Sequence, residues 1–242
     1  MTDVADLVAR AEAALGLLSS SGESELVQGI PCATYPLGEA WASQAKALLP
    51  PAPAALDAAL SWLSARAPAW SVMTRQKFAS LDVFTSRGLT PWTELPVLVL
   101  VRAAALRAAR TVPLEVGPAA SAEEFLAVYG QELAPLVTAG TLADAAYDHL
   151  VGRVDGQPVA CARIRRAAGT AYVSAITVLP AYRGQGFGLA ISAAATHAAL
   201  ATQPRLVWLA AASELHPMYA RLGFRPVDTH VLLTSAAAPA GT

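Results

Sequence analysis

Between Val178 and Gly188 the chain reads Val-Leu-Pro-Ala-Tyr-Arg-Gly-Gln-Gly-Phe-Gly, with three glycines at alternate positions between a strand-like run and an alanine-rich helical one. Here a strand has to end, the backbone has to turn through conformations that side chains resist, and a helix has to begin. Glycines also remove the Cβ atoms that would keep a ligand away from the backbone. The amides freed at the helix start, with the helix dipole behind them, make a site for a diphosphate without help from a lysine. A Walker loop would carry Lys and then Ser or Thr after its last glycine, where Leu189 and Ala190 stand. The dinucleotide fingerprint GxGxxG is absent too, and the strands before the loop read as a meander instead of a βαβ unit.

That meander is predicted from His149 to Val154, Pro158 to Arg165 and Ala171 to Val178, turning at Asp155-Gly156 and near Gly169. Ahead of it lie a strand from Val112 to Val116 and a helix opening at Ser121, where Glu124 completes a capping box. Behind the loop come a helix from Gly188 to Ala201, a strand from Leu206 to Ala210, a helix from Pro217 to Leu222 and a strand from Val227 to Leu233. This order predicts a mixed α/β (α+β) sheet with helices on its faces.

The first half opens with an amphipathic helix from Asp3 to Leu18, capped by Asp3. A loop rich in Pro and Gly is expected around Gly29, Pro31, Pro36 and Gly38. A helix from Ala54 to Ala65 with Trp62 facing inward follows, then a strand at Trp70 to Met73, a helix near Ala79 to Arg87 ended by Gly88, and a buried strand from Leu95 to Val101. Phe84-Thr-Ser-Arg-Gly88-Leu89 repeats the spacing of Tyr219-Ala-Arg-Leu-Gly223-Phe224, so the halves are expected to share a fold. Trp41, Trp62, Trp70 and Trp92 supply either a core or an aromatic acceptor pocket.

Composition narrows the partners. Lys plus Arg number 17 against 18 Asp plus Glu, a net charge of -1, so there is no electrostatic footprint for nucleic acid or an anionic membrane. Hydrophobic residues make up 55%, but much of this is alanine in short runs, and no apolar stretch reaches the length of a membrane span. The start, Met1-Thr2-Asp3, lacks the cationic and apolar regions of a signal peptide, so a cytoplasmic protein is expected. Cys32 and Cys161 are far apart and outside any metal-ligand spacing; no metal site or disulfide is expected, and Cys161 reads as a core residue.

The pattern Val178-x-Pro-x-x-Arg-Gly-x-Gly-x-Gly188 resembles the signature of the GNAT superfamily of acyl-CoA-dependent N-acetyltransferases, and Tyr219 to Phe224 is similar to that family's second block. The resemblance implies a GNAT-like fold, with two tandem GNAT-like domains of which only the second carries the CoA loop. Residues 1–105 would form a degenerate domain with a leading helix and 112–235 the catalytic domain, their junction lying between about Arg102 and Val112, with 236–242 as a disordered tail. It further implies acetyl-CoA as the acyl donor. Arg183, Gly184, Gln185, Gly186, Phe187, Gly188 and Leu189 would hold its pyrophosphate, and the strand edge Ile176, Thr177 and Val178 its pantetheine arm, beside a strand splayed away to leave a slot for the thioester.

Three tasks then need groups: deprotonating the amine, stabilising the oxyanion and protonating the thiolate. By resemblance Tyr219 is the general acid and the Ile176 amide an oxyanion donor. Many family members carry Glu where Ser174 stands, leaving His216 and Glu214 as candidate bases, and Ala212 or Ser213 stands where the family has asparagine. The function implied is transfer of acetyl to a primary amine of a small-molecule acceptor in a ternary complex. A protein N-acetyltransferase and a non-catalytic acyl-CoA-binding regulatory module are the alternatives, and a homodimer is compatible with the sequence.

Overall fold

The computed structural model describes residues 3–17, 22–101 and 112–235. The chain divides into two compact units, Met1–Val97 with Val227–Thr242, and Leu98–Pro226. The junction expected between about Arg102 and Val112 falls almost wholly outside the described residues, as does the tail 236–242.

In the first unit, α1 (Val4–Leu15) starts where the Asp3 carboxylate accepts from the Ala5 amide. Strands β1 (Glu23–Val27) and β2 (Ile30–Thr34) follow, and then β3 (Gln44–Lys46). This corrects the expected irregular loop. Gln28 and Gly29 both take positive φ and close a two-residue hairpin. Residues 23–26 of β1 are exposed, so the strand shows no apolar alternation to read. Pro31 sits opposite Leu26, next to the hairpin's closing pair, so its missing N–H falls on the side away from β1. There β3 pairs only with Cys32 and Ala33, and no ladder bond is lost.

Helix α2 (Pro53–Ser64), β4 (Ser71–Arg75), α3 (Asp82–Thr85) and β5 (Leu89–Leu100) complete the run. Residues His230–Leu233 of the C-terminal strand β11 (Phe224–Ser235) pair antiparallel with β4. The order is β1-β2-β3-β4-β11, with β3 and β4 parallel. Leu56, Leu63 and Phe84 pack on one face of this sheet with Val72 and Val231, and Ala9 of α1 meets Met73 and Leu232 on the other. Ion pairs pin α1 down: a buried one from Glu12 to Lys46, and a partly exposed one from Asp6 to Arg75, which also holds Asp228 at 2.5 Å. Trp62 is buried and donates to Glu25 at 2.7 Å, whereas Trp41 and Trp92 are exposed.

The second unit runs β6 (Glu115–Pro118), α4 (Ala122–Tyr129), α5 (Ala139–Ala143), β7 (Tyr147–Val154), β8 (Gln157–Ala167), β9 (Thr170–Val178), α6 (Phe187–Ala201), β10 (Leu206–Ala210) and α7 (His216–Arg221). Its strand order is β6-β7-β8-β9-β10, antiparallel except for the parallel pair β9/β10. Ile191, Ala195 and Leu222 cover one face with Ala162, Ile164 and Val173; Phe125 and Leu126 cover the other with Val151 and Cys161. Asp155 and Gly156 turn the β7–β8 hairpin with φ of 49° and 76°.

At α4 the Ser121 hydroxyl accepts from the Glu124 amide at 3.1 Å as expected, but the Glu124 carboxylate accepts from the Ala120 amide at 2.7 Å, one residue before the cap, so the expected capping box is only half formed. Replacing Ser121 by Ala should destabilise the protein by about 1 kcal/mol in chemical denaturation. No change would mean that water caps this helix equally well.

Along the chain, α1 to β5 and α4 to β11 follow one order apart from the extra helix α5: helix, three strands, helix, strand, short helix, strand. In this repeat β3 corresponds to β9, α2 to α6 and β4 to β10, and both strand pairs are parallel. The mixed α/β architecture expected from the sequence is present.

Candidate functional site

In the second unit β9 runs to Val178, yet it pairs with β10 only over Thr170–Tyr172. Its other edge stays bonded to β8 as far as Val178. From Val173 onward β9 thus has a neighbour on one side only, and its free edge, containing Ile176, Thr177 and Val178, borders a slot. At the mouth of this splay Tyr172 stacks on Trp208, ring centroids 4.2 Å apart. Ala175 interrupts β9 with a φ of 52°, at the register shift opposite Cys161 to Arg163.

The loop after β9 is a short 3-10 turn (Pro180–Tyr182) leading into the glycines. Gly184 and Gly186 have φ of 74° and 90°, and Gly186 is the residue that opens α6. A Cβ on Gly184 would meet nothing within 4 Å, so the loop is open on that side. Arg183 Nε donates to the Val178 carbonyl at 3.0 Å and Gln185 Nε2 to that of Ala181 at 3.0 Å, so both long side chains fold back to brace the loop. Phe187 and Leu189 point into the core, Phe187 edge-on to Tyr182.

The first backbone bond into α6 runs from the Ala190 amide to the Gly186 carbonyl. The six amides from Gly184 to Leu189 have no partner among the described residues. Six unpartnered donors at the start of a 15-residue helix form a ready anion cradle. The chemistry of this donor set fits a diphosphate, and the bare strand edge beside it fits an amide-bearing arm.

Tyr219 lies on α7, buried, with its ring edge-on to Phe224. Burial pushes its phenol above the ordinary range, and a hydrogen bond with Ser192 offsets part of that. Ser192 in turn donates to the Gly188 carbonyl at 2.7 Å, which links Tyr219 to the first turn of α6. The phenol therefore stays protonated at neutral pH, as a proton donor must.

Ser174 is half-buried on β9 and its hydroxyl donates to the Arg163 carbonyl at 3.4 Å. Arg163, its register partner, is a buried cation that bonds Leu136 O and lies 5.9 Å from the Tyr129 ring. The cross-strand register partner of Ser174 is thus an arginine and not a carboxylate. His216 opens α7 with Nε2 at 3.2 Å from the Ala211 carbonyl. Ser213 and Glu214 are exposed on the turn just before it. The six-amide cradle could be anticipated from glycine spacing, but Ser192 carries no motif and emerges only from its contacts.

Cys161 and Cys32 are both buried, and burial pushes each thiol up to about 12, so neither is a nucleophile. Among the described residues no group of three or more His, Cys, Asp or Glu is placed to hold a metal ion. None of their helices is long and apolar enough to cross a membrane.

Residues 145–226 match the family model described as the acetyltransferase (GNAT) domain. No curated protein matches the chain. Among solved structures it is similar to a GCN5-related N-acetyltransferase from Kribbella flavida, with 23% identity, 98% of each chain covered and a TM-score of 0.72. It is also similar to a GCN5-related N-acetyltransferase-like protein from Streptococcus suis 89/1591 (13% identity, 95% of this chain and 98% of that one, TM-score 0.58). A GCN5-related N-acetyltransferase from Sphaerobacter thermophilus covers 78% of this chain with 70% of its own, at 17% identity and a TM-score of 0.54. These likenesses establish a shared fold over nearly the whole chain.

Proposed function

We propose that the chain is a cytoplasmic N-acetyltransferase that moves acetyl from acetyl-CoA to the primary amine of a small-molecule acceptor, by direct attack with both substrates bound. The observation that carries this reading is a single strand–loop–helix unit, in which β9 loses its neighbour after Tyr172 and six amides stand unpartnered at residues 184–189.

Bound acetyl-CoA supplies an activated carbonyl with a thiol leaving group. The chain's own groups do the rest. The amides of 184–189 and the α6 dipole hold the diphosphate, and the free edge at 176–178 aligns the pantetheine arm. The Ile176 amide donates to the carbonyl oxygen as charge builds there. The Tyr219 hydroxyl gives its proton to the departing sulfur. A net charge of -1 supports a small amine over a nucleic acid as acceptor.

Ser174 offers only a hydroxyl and its register partner is Arg163, so this strand position supplies no carboxylate base for the incoming ammonium. The amine then has to arrive unprotonated. The acidic limb of kcat/KM should accordingly follow the acceptor's own amine, moving by about two pH units between acceptors whose amine pKa values differ by about two. A limb fixed at one pH for both would reveal a protein base, with His216 the first to mutate.

The absence of a carboxylate at Ser174 also favours a second reading, a non-catalytic acyl-CoA-binding module. Incubation with acetyl-CoA and a panel of amines, followed by free-thiol detection, separates the two. Thiol release that depends on a particular amine supports the enzyme, whereas CoA binding without turnover on any small or peptide amine supports the module.

A further inference from the structure

In the first unit the counterpart of the cofactor loop is Ala47 to Ala52, between β3 and α2. It still borders a groove. A cavity of about 460 Å³ lies between this loop, the β1–β2 hairpin and α1, within the range of roughly 300–1,000 Å³ usual for small-molecule sites.

Its chemistry is the reverse of the second unit's. Pro50, Pro51 and Pro53 stand where the other loop presents amides, and proline has no N–H to give. The N-cap, Ala52, has no side-chain cap bond. Behind the loop the Thr74 hydroxyl donates to the Ala47 carbonyl at 2.8 Å, occupying the position that corresponds to the open slot beside β9. A diphosphate would find few donors here.

The groove wall is aliphatic. Alanines at 9, 13 and 14 keep the α1 side shallow, and Leu48 and Ile30 contribute to the floor. Three leucines on the lining, Leu17, Leu26 and Leu49, are 37%, 57% and 59% exposed. Leaving this much aliphatic surface in water is unfavourable unless something covers it. The one buried cation on the lining, Lys46, is already paired with Glu12, which leaves the floor neutral. At the exposed edge stands Arg10, which makes no ion pair among the described residues. An apolar slot with a cation at its mouth is complementary to a chain that is aliphatic along its length and anionic at one end.

We propose that this groove binds a medium-length fatty acid, its alkyl chain laid against α1 and the 48–51 segment and its carboxylate at Arg10. The likeness of position to a cofactor groove rests on the function proposed above, whereas the match of lining to ligand does not.

Calorimetric titration of the full chain with sodium dodecanoate, below its aggregation concentration, tests this. One saturable site per chain is expected. Ala13→Trp, which fills the slot, should weaken binding at least tenfold, and so should Leu49→Glu, an exposed change that leaves the core alone. Arg10→Glu should weaken dodecanoate several-fold and leave dodecyltrimethylammonium unaffected or tighter. CoA titration of the same variants should match the parent protein and so report that they are folded. No saturable binding, or binding by Ala13→Trp and Leu49→Glu as tight as the parent protein's, would overturn the proposal. A chain that binds dodecanoate but not CoA would retain this site and lose the function proposed above.

Discussion

Replacing Gly184 by Val should weaken CoA binding on the order of a hundredfold, about 2.7 kcal/mol, the loss of one or two charge-assisted hydrogen bonds. Two effects act together. A φ of 74° is costly for a β-branched residue, roughly 1–2 kcal/mol, so the loop would relax and turn its amides away. If it did not relax, the new methyls would stand in the open space over the loop, where no protein atom approaches within 4 Å. Gly188→Ala is the matched control. Gly188 lies inside α6 without positive φ, and its Cβ would meet Met218 Sδ at an ordinary 3.8 Å. Calorimetry should show CoA affinity changed less than threefold in that variant, by this argument from geometry. Equal losses in both variants would show that the positive φ and open space at residue 184 play no special part in holding CoA.

Tyr219→Phe should lower kcat by roughly a hundredfold with CoA affinity unchanged, the usual share of a positioned proton donor. The substitution is clean because the ring, packed against Phe224, is retained. Ser192 keeps the Gly188 carbonyl as acceptor for its own proton, so no buried donor is orphaned. Stability should therefore move little, and a drop in rate can be assigned to chemistry. Full activity in the Phe variant would remove Tyr219 from the reaction and leave the thiolate to water.

The readable parts of this molecule were those where short-range chemistry dictates form. The Ser121 cap, Asp155-Gly156 and the glycines at 184 and 186 each fix a backbone conformation by local rules, and the structure realises them, whereas Gly188 is an ordinary helical residue. Strand β10 is bounded at Leu206 and Ala210 as expected, because a buried strand is an uninterrupted apolar run. The hairpin of β1 and β2 was missed because an exposed edge strand carries no alternation, and because Pro31 is harmless only in a register that the sequence does not state. The pairing of His230–Leu233 with β4 joins residues more than 150 positions apart, and nothing local in either strand names its partner. The site divides along the same line. The anion cradle is a property of one contiguous segment and was visible, whereas the Ser192–Tyr219 contact and the pairing of Arg163 with Ser174 depend on which elements meet.

The most direct test compares CoA with pantetheine, which keeps the arm and the thiol but lacks the diphosphate, in calorimetric titrations of the unmodified protein. One CoA per chain is expected, with pantetheine weaker by at least tenfold, since the amides of residues 184–189 would then have no anion to hold. Absence of heat with CoA, or pantetheine binding as tightly as CoA, would contradict this expectation.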